Sequence, residues 1–181
     1  MGNKKFEIGL VHIYTGNGKG KTTAAIGQGI RTSGAGYKVL MVQFLKGEDT
    51  GELNTIEKLS PNFELARFAN MRKFYSQMND EEKIETKASI KTGIEFIKEQ
   101  FKSGNYNLII MDEIMATIYN KIINLDDIIS LIKDKPKDME IIMTGRNAPG
   151  ELIEIADYVT EMKLVKHPFQ KGIYARKGIE S

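Results

Sequence analysis

The sequence contains no cysteine and no tryptophan among its 181 residues, and it has only two histidines and four prolines. The absence of cysteine excludes disulfide bonds, thiolate metal sites and a cysteine nucleophile, and it suits a reducing compartment. No apolar run approaches the roughly 20 residues that span a bilayer, and the polar start Met1–Glu7 does not resemble a signal peptide. We therefore expect a cytoplasmic protein without a membrane partner.

The chain also lacks a large excess of either positive or negative charge. The 26 basic and 24 acidic side chains leave a formal net charge of +2 and are interspersed along the chain. This balance argues against nucleic acid as a partner, because nucleic-acid binding favours a basic patch or stripe. Hydrophobic residues make up 41% of the chain, as in ordinary globular proteins. We expect one nucleotide-binding domain over residues 1–181.

Apolar strand-like runs alternate with helical patterns. The predicted strands are Leu10–Tyr14, Lys38–Phe44, Phe63–Phe68, Leu108–Met111, Glu140–Met143 and Tyr158–Met162. The predicted helices cover 21–33, a long segment that begins with a capping box at Asn79, then 126–133 and 151–157. This alternation predicts an α/β fold in which helices cover both faces of a mostly parallel central sheet. The loop between Phe44 and Phe63 and the region Ala66–Met78 look irregular, and we expect them to be walls of a site.

A glycine-rich segment, TGNGKGKTT, follows the first predicted strand. It departs from the usual phosphate-loop pattern G-x-x-x-x-G-K-[ST], because Thr15 stands where the first glycine belongs and Gly16 lies one residue too close. The alternative interpretation is a glycine-rich turn with incidental lysines. The strand before it, the helix after it and the G-K-T-T ending together favour a nucleoside triphosphate site.

Each residue type in this loop has chemical properties that suit phosphate binding. Glycines let the backbone turn tightly and aim its N–H groups at an anion, and the following helix adds its positive end. A lysine gives phosphate oxygens a compact positive charge, and the hydroxyl of Thr22 can bind Mg²⁺. The predicted ATP-binding residues here are Gly16, Asn17, Gly18, Lys19, Gly20, Lys21, Thr22 and Thr23.

Two further motifs end predicted strands at the same edge of the sheet. LIIMDE brings Asp112 and Glu113, which could hold Mg²⁺ or, alternatively, be solvated or cap the next helix. MTGRNAP brings Thr144 and Arg146, and the arginine could steady charge on a phosphate or form a structural salt bridge. The two histidines lie far apart in sequence and do not predict a metal site.

Taken together, the segments TGNGKGKTT, VQFLKG, TGE, MDE, TGR and VTEMKLVKHPFQKGI resemble the phosphate-loop class of ATP:corrinoid adenosyltransferases, from about Gly9 to Glu180. The resemblance implies a RecA-like sheet and a homodimer. It also implies transfer of the 5′-deoxyadenosyl group of ATP to the Co(I) of a reduced corrinoid, such as cob(I)alamin, with release of intact triphosphate. ATP would present its C5′ carbon for attack, and a separate reductase would supply electrons to the corrinoid.

The resemblance also suggests roles for individual residues. Lys21, Glu113 and Arg146 would act in catalysis, and the Mg²⁺ or Mn²⁺ site would consist of Thr22, Asp112 and Glu113. Within Ala66–Met78, Phe74 resembles the aromatic wedge that displaces the lower axial ligand of cobalt in this family. Ser76 occupies the place where relatives often have tryptophan, so that Tyr75 is a possible substitute. Ordinary packing is the alternative role for Phe74.

Other functions fit parts of the pattern. A conventional phosphate-loop hydrolase or kinase would attack the γ-phosphate and yield ADP. A non-catalytic sensor would bind ATP and a corrinoid without turnover. A nucleic-acid motor on a RecA-like core is disfavoured by the modest charge.

Overall fold

A computed structural model of the chain describes residues 4–47, 50–69, 73 and 75–179. Within these residues, six strands form one sheet in the order β3-β2-β4-β5-β1-β6, and every neighbouring pair is parallel. The strands are β1 (Val11–Thr15), β2 (Val39–Phe44), β3 (Phe63–Phe68), β4 (Leu108–Asp112), β5 (Glu140–Thr144) and β6 (Tyr158–Glu161). The predicted parallel sheet is confirmed.

Helices connect the strands. They are α1 (Lys21–Gly34), α2 (Gly51–Lys58), α3 (Asp80–Ser103), α4 (Ile114–Tyr119), α5 (Leu125–Lys133) and α6 (Gly150–Ile155), with short 3₁₀ turns at Tyr75–Gln77 and Pro168–Lys171. One strand, β5, separates β1 from β4, in the RecA-like arrangement that the resemblance implies. The glycine loop after β1 and the acidic pair at the end of β4 therefore face each other across the end of β5.

The sheet is buried on both faces, which explains why its strands read as continuous apolar runs. In β4, Ile109 and Met111 belong to one hydrophobic cluster, whereas Leu108 and Ile110 belong to the cluster on the opposite face. All four side chains are fully buried. The core thus fixes the register of the strands, and with it the positions of the polar residues at their carboxyl ends.

The capping box and the apolar face predicted for α3 are confirmed. The Asn79 side chain accepts a hydrogen bond from the Glu82 N–H at 2.9 Å, and the Glu82 carboxylate accepts one from the Asn79 N–H at 2.8 Å. The large apolar side chains of its buried face are Ile90, Ile94, Ile97 and Phe101. Across the described ranges, no helix combines the length and apolar character needed to cross a bilayer.

One expectation about an irregular segment was wrong, and one further helix was not predicted. The region between Phe44 and Phe63 contains α2, and α4 precedes α5 between β4 and β5. Both helices are short, and Ile56 is the only buried residue of α2, so a helical period does not stand out in the sequence. Helix α6 ends at Ile155, before the predicted end at 157, and β6 ends at Glu161, one residue early.

Candidate active site

A cavity of about 750 Å³ opens at the carboxyl ends of the parallel strands, the usual place for a ligand in an open α/β sheet. One wall is the glycine loop and the start of α1, and a second is the turn after β2 with the start of α2. The remaining lining residues are Glu113, Arg146, His167, Gly178 and Ile179. The cavity therefore joins segments from both ends of the sequence.

The glycine loop is packed tightly against the chain that follows β6. The Gly18 N–H donates to the Met162 carbonyl at 2.6 Å, and a Cβ at Gly18 would lie 2.7 Å from the backbone oxygens of Met162 and Lys163. Gly16 has the same restriction. A Cβ at Gly20 would make only an ordinary contact, 3.8 Å from Met162 Sδ, but the φ of +117° at Gly20 favours glycine. The loop therefore needs glycine for its contact with the Met162 backbone as well as for its turn.

Lys21 begins α1 and folds back into the loop. Its Nζ donates to the carbonyls of Gly16 at 2.8 Å and Gly18 at 2.9 Å. Burial lowers the pKa of Lys21, and the positive charge of Arg146 adds to this effect, while Glu113 and Asp112 oppose it. The structure thus holds an ammonium group inside the loop, where the phosphates of a nucleotide would approach.

Asp112 ends β4 and is completely buried. Its Oδ1 accepts hydrogen bonds from the hydroxyls of Thr22 at 2.8 Å and Thr144 at 2.6 Å. Its Oδ2 accepts from the Gln43 amide at 3.2 Å and forms an ion pair with Lys46 at 2.8 Å. Because the Thr22 proton points at Asp112, the lone pairs of that hydroxyl remain available to a cation.

Glu113 stands next to Asp112 in sequence but has a different environment. Its φ of 62° is left-handed, a strained conformation that clusters at functional sites, and its N–H donates to Thr144 Oγ1 at 2.9 Å. Its side chain lines the cavity. Burial raises the pKa of Glu113, and the charge of Asp112 raises it further, while Lys46, Lys21 and Arg146 oppose the shift. A cation near Glu113 would relieve this unfavourable charge.

The oxygens around the loop fit a hard divalent cation. Within residues 4–47, 50–69, 73 and 75–179, no three Asp, Glu or His side chains cluster as a complete metal site. A Mg²⁺ ion would therefore need the Thr22 hydroxyl and phosphate oxygens in addition to carboxylates, as Mg²⁺ sites in nucleotide enzymes commonly do. The Lys46 ammonium lies 2.8 Å from Asp112 Oδ2 and 3.4 Å from Thr22 Oγ1. A positive charge is thus already accommodated among these oxygens.

The structure brings most of the predicted site residues to this cavity. Asn17 through Thr23, Glu113 and Arg146 line it, Gly16 supports the loop, and Asp112 lies behind Thr22. Arg146 is exposed and forms no ion pair with another described residue. Phe74, the predicted aromatic wedge, lies outside the described residues, and Tyr75 is half-buried against the core. The wedge therefore stays a prediction.

The histidines differ from each other. His12 pairs with Glu140 and stacks on Tyr158 at 4.6 Å between ring centroids, and it does not line the cavity. His167 does line the cavity, and its Nδ1 accepts the Phe169 N–H at 3.2 Å. Its place in the cavity was not predicted.

Polar side chains on neighbouring strands form hydrogen bonds beside Asp112, which was not predicted from the sequence. Gln43 pairs with Asp112 in the register of β2 and β4, and with Arg67 in the register of β2 and β3. The Gln43 amide also contacts Glu52 at 3.3 Å, and Arg67 donates to Gln43 at 2.8 Å and to Thr50 at 2.7 Å. The available signal was a single amide in an otherwise apolar strand, since a buried polar group requires partners.

A phosphate loop between a strand and a helix, facing a buried acid across a parallel sheet, defines the class of phosphate-loop nucleotide-binding proteins. The particular family follows from comparison. A family model described as ATP:corrinoid adenosyltransferase BtuR/CobO/CobP matches residues 7–181. The chain belongs to this family.

Individual relatives agree with the family assignment. The chain is 35% identical to a corrinoid adenosyltransferase of Sinorhizobium sp over 187 residues, which cover 99% of this chain and 84% of the relative. It is 31% identical to the corrinoid adenosyltransferase of Escherichia coli (strain K12), with coverage of 96% and 86%. Among solved structures, it is similar to the KaiC-like protein PH0186 from Pyrococcus horikoshii OT3, with 19% identity, a TM-score of 0.48 and coverage of 90% and 76%.

Proposed function

We propose that this protein transfers the 5′-deoxyadenosyl group of ATP to the Co(I) of a reduced corrinoid such as cob(I)alamin. Cobalt donates an electron pair to C5′, the C5′–O bond breaks, and triphosphate leaves with that bond's electrons. Cobalt becomes formally Co(III) in the new Co–C bond. The observation that carries the proposal is the family match over residues 7–181.

In this reaction the protein positions two reactants and stabilises a polyanionic leaving group, because Co(I) is itself a strong nucleophile and needs no protein base. We assign binding of the triphosphate to the backbone N–H groups of residues 17–22, to Lys21 and to Arg146. The Lys21 ammonium now contacts two neutral carbonyls. Phosphate oxygens would give it charged partners, and such charge-assisted contacts are stronger.

We assign a Mg²⁺ site, which Mn²⁺ can also fill, to Thr22 and Glu113, with Asp112 orienting Thr22 and binding metal-coordinated water. When bound, the cation neutralises charge on the triphosphate. The support is the arrangement of oxygens: the Thr22 hydroxyl donates to Asp112, and the Glu113 side chain faces the cavity with a raised pKa.

The corrinoid would lie over the cavity beside the region Ala66–Met78, in line with C5′. Phe74 is the proposed contact to cobalt, on the basis of the resemblance alone. The reaction needs Co(I), so we propose a reductase as electron donor and the cytoplasm as the compartment, since reducing conditions favour that oxidation state.

We also propose a homodimer. Strand β6 ends the sheet, and its Tyr158 and Val159 side chains are 53% and 43% exposed. Exposed apolar side chains continue after it at Leu164, Val165, Phe169, Ile173 and Tyr174. An edge strand that is open on one side and is followed by exposed apolar side chains is a favourable place for a second copy to bind.

The test combines the protein with ATP, Mg²⁺ and chemically generated cob(I)alamin. We expect a light-sensitive Co–C product and one triphosphate for each adenosyl group transferred. ADP and phosphate without a Co–C product would indicate a conventional hydrolase or kinase and contradict the proposal. Binding of both substrates without turnover under strong reduction would indicate a sensor and contradict it equally.

A further inference from the structure

Lys46 lies among the oxygens that would bind the metal, although the loop lysine Lys21 is the expected cation of a phosphate loop. Its Nζ is 2.8 Å from Asp112 Oδ2, 3.4 Å from Thr22 Oγ1 and 3.8 Å from Glu52 Oε1. Asp112 is fully buried, and the Lys46 side chain is only 20% exposed. This ammonium is therefore the nearest positive charge to the buried Asp112 carboxylate. Without such a partner, a buried carboxylate would strongly destabilise the folded protein.

Lys46 and a divalent cation cannot occupy this place together. Mg²⁺ binds oxygen at about 2.0–2.1 Å, and the Lys46 ammonium lies 3.4 Å from Thr22 Oγ1. An ion that binds Thr22 on the side of Lys46 would therefore lie in the space that the ammonium now fills. Two positive centres in such close contact repel strongly in a partly buried site. Binding of the metal therefore requires Lys46 to move.

The structure offers Lys46 a second carboxylate. Lys46 follows Leu45, whose φ of 55° turns the chain sharply at the end of β2. Its flexible four-carbon stem can swing from Asp112 toward Glu52, which lies 3.8 Å away. The Gln43 amide contacts both Glu52, at 3.3 Å, and Asp112, at 3.2 Å. Both acceptors are thus held by the same side chain, within reach of the lysine.

We propose that Lys46 is a tethered cation that fills the metal position in the nucleotide-free protein and transfers to Glu52 when the metal–nucleotide complex binds. The protein would then bind a free divalent cation weakly and take up its metal together with ATP. This inference rests on the metal site of the proposed function, but it concerns the protein before either substrate is present.

The test uses Mn²⁺ as the probe and contains neither nucleotide nor corrinoid. Bound and free Mn²⁺ are measured by electron paramagnetic resonance for the wild type, Lys46→Met and Lys19→Met. Lys19 lines the same cavity, so its variant is a control for loss of one positive charge. We expect Lys46→Met to bind one Mn²⁺ per chain at least about tenfold more tightly than the wild type, and Lys19→Met to change the affinity much less.

Thermal unfolding gives a second measurement on the same variants. Lys46→Met should unfold at a lower temperature because Asp112 loses its charge partner, and Mn²⁺ should restore much of that loss. Equal Mn²⁺ affinities for Lys46→Met and the wild type would overturn the proposal, as would an equal gain in Lys19→Met.

A structure of the wild type with Mn²⁺ and ATP avoids dependence on the folding of a variant. We expect Lys46 Nζ to leave Asp112 and contact Glu52; a metal bound at Thr22 with Lys46 still on Asp112 would contradict the proposal. If Lys46→Met gains Mn²⁺ affinity but the wild type transfers no adenosyl group, the inference stands while the proposed function fails.

Discussion

The two sides of the cavity are built differently. The inner wall, which we define as Lys21, Thr22, Asp112 and Thr144, is buried except for the half-buried Thr22, and all four side chains make hydrogen bonds to protein atoms. The outer wall, which we define as residues 162–179, lines the cavity at His167, Gly178 and Ile179. It is largely exposed, with Val165 85% and Tyr174 76% accessible. The inner wall is thus complete in the isolated chain, whereas the outer wall presents apolar surface that the described residues leave uncovered.

The two walls are therefore suited to two different tasks, stabilisation of the leaving group and association with another chain. A preorganised inner wall can stabilise charge on a leaving group without rearranging at the moment of reaction. The exposed outer wall is the surface to which the proposed second copy of the chain would bind. Changes in the inner wall should therefore alter the reaction rate, and changes in the outer wall should alter association.

The largest effect is expected from Lys21→Ala. Loss of the ammonium that would contact the triphosphate should lower kcat for adenosyl transfer by about 10²–10³, the range found when one stabilising group is removed from a charged transition state. The rate of Co–C product formation at saturating ATP measures this effect. Lys19→Ala, in the same loop but exposed, should cost tenfold or less. Equal losses in both variants would show that Lys21 has no special position.

The contact between the glycine loop and the outer wall can be broken at Gly18. An alanine there would place Cβ 2.7 Å from the Met162 and Lys163 oxygens, and such overpacking costs about 1–3 kcal/mol. The matched control is Gly27→Ala, on the exposed side of α1 with nothing within 4 Å, which should stabilise the protein by about 0.5–1 kcal/mol. Urea unfolding measures both. A neutral Gly18→Ala would mean that the loop does not depend on the outer wall.

The effect of the Glu113 carboxylate charge on the stability of the folded protein can also be tested. Because its pKa is raised by burial and by Asp112, the folded state binds its proton more tightly than the unfolded state does. The carboxylate therefore weakens folding above its folded pKa, and it has no effect below its unfolded pKa.

Glu113→Gln should accordingly raise the unfolding temperature at pH 7 to 8 in the absence of metal. This gain should disappear as the pH falls through the raised pKa toward the ordinary value for glutamate. Thermal unfolding of both proteins across this pH range checks the expectation. A gain that persists at pH 4 would assign the effect to packing instead of charge.

The smallest effect on stability is expected in the outer wall. The double variant Val165→Ser/Tyr174→Ser should change the free energy of unfolding by no more than about 0.5 kcal/mol for each exposed position. It should nevertheless weaken the proposed homodimer in sedimentation velocity experiments. A monomeric double variant that is destabilised by several kcal/mol would show that these side chains are packed within the chain, and would remove the contrast between the walls.

Local signals in the sequence predicted the fold well. The capping box at Asn79, the buried spacing from Ile90 to Phe101 and the apolar strands depend on neighbours in sequence. The glycine loop was also recognisable, although its need for small residues against Met162 was not, because that contact joins segments about 145 positions apart.

Asp112 and Glu113 are neighbours in sequence, and nothing in that adjacency predicts that their carboxylates point in different directions. The left-handed turn at Glu113 sends one carboxylate into the protein and the other into the cavity. The contacts of Gln43, Lys46 and Glu52 likewise depend on β2 lying directly beside β4. That neighbour relation is a property of the sheet order, which no local pattern specifies.

The most direct test of the account follows one oxygen atom. ATP labelled with ¹⁸O at the oxygen that joins C5′ to the α-phosphorus is supplied with Mg²⁺ and cob(I)alamin, and the released polyphosphate is analysed by mass spectrometry. Attack at C5′ predicts that all of the label leaves in triphosphate. Label retained on the adenosine side, or recovered in ADP, would contradict the account.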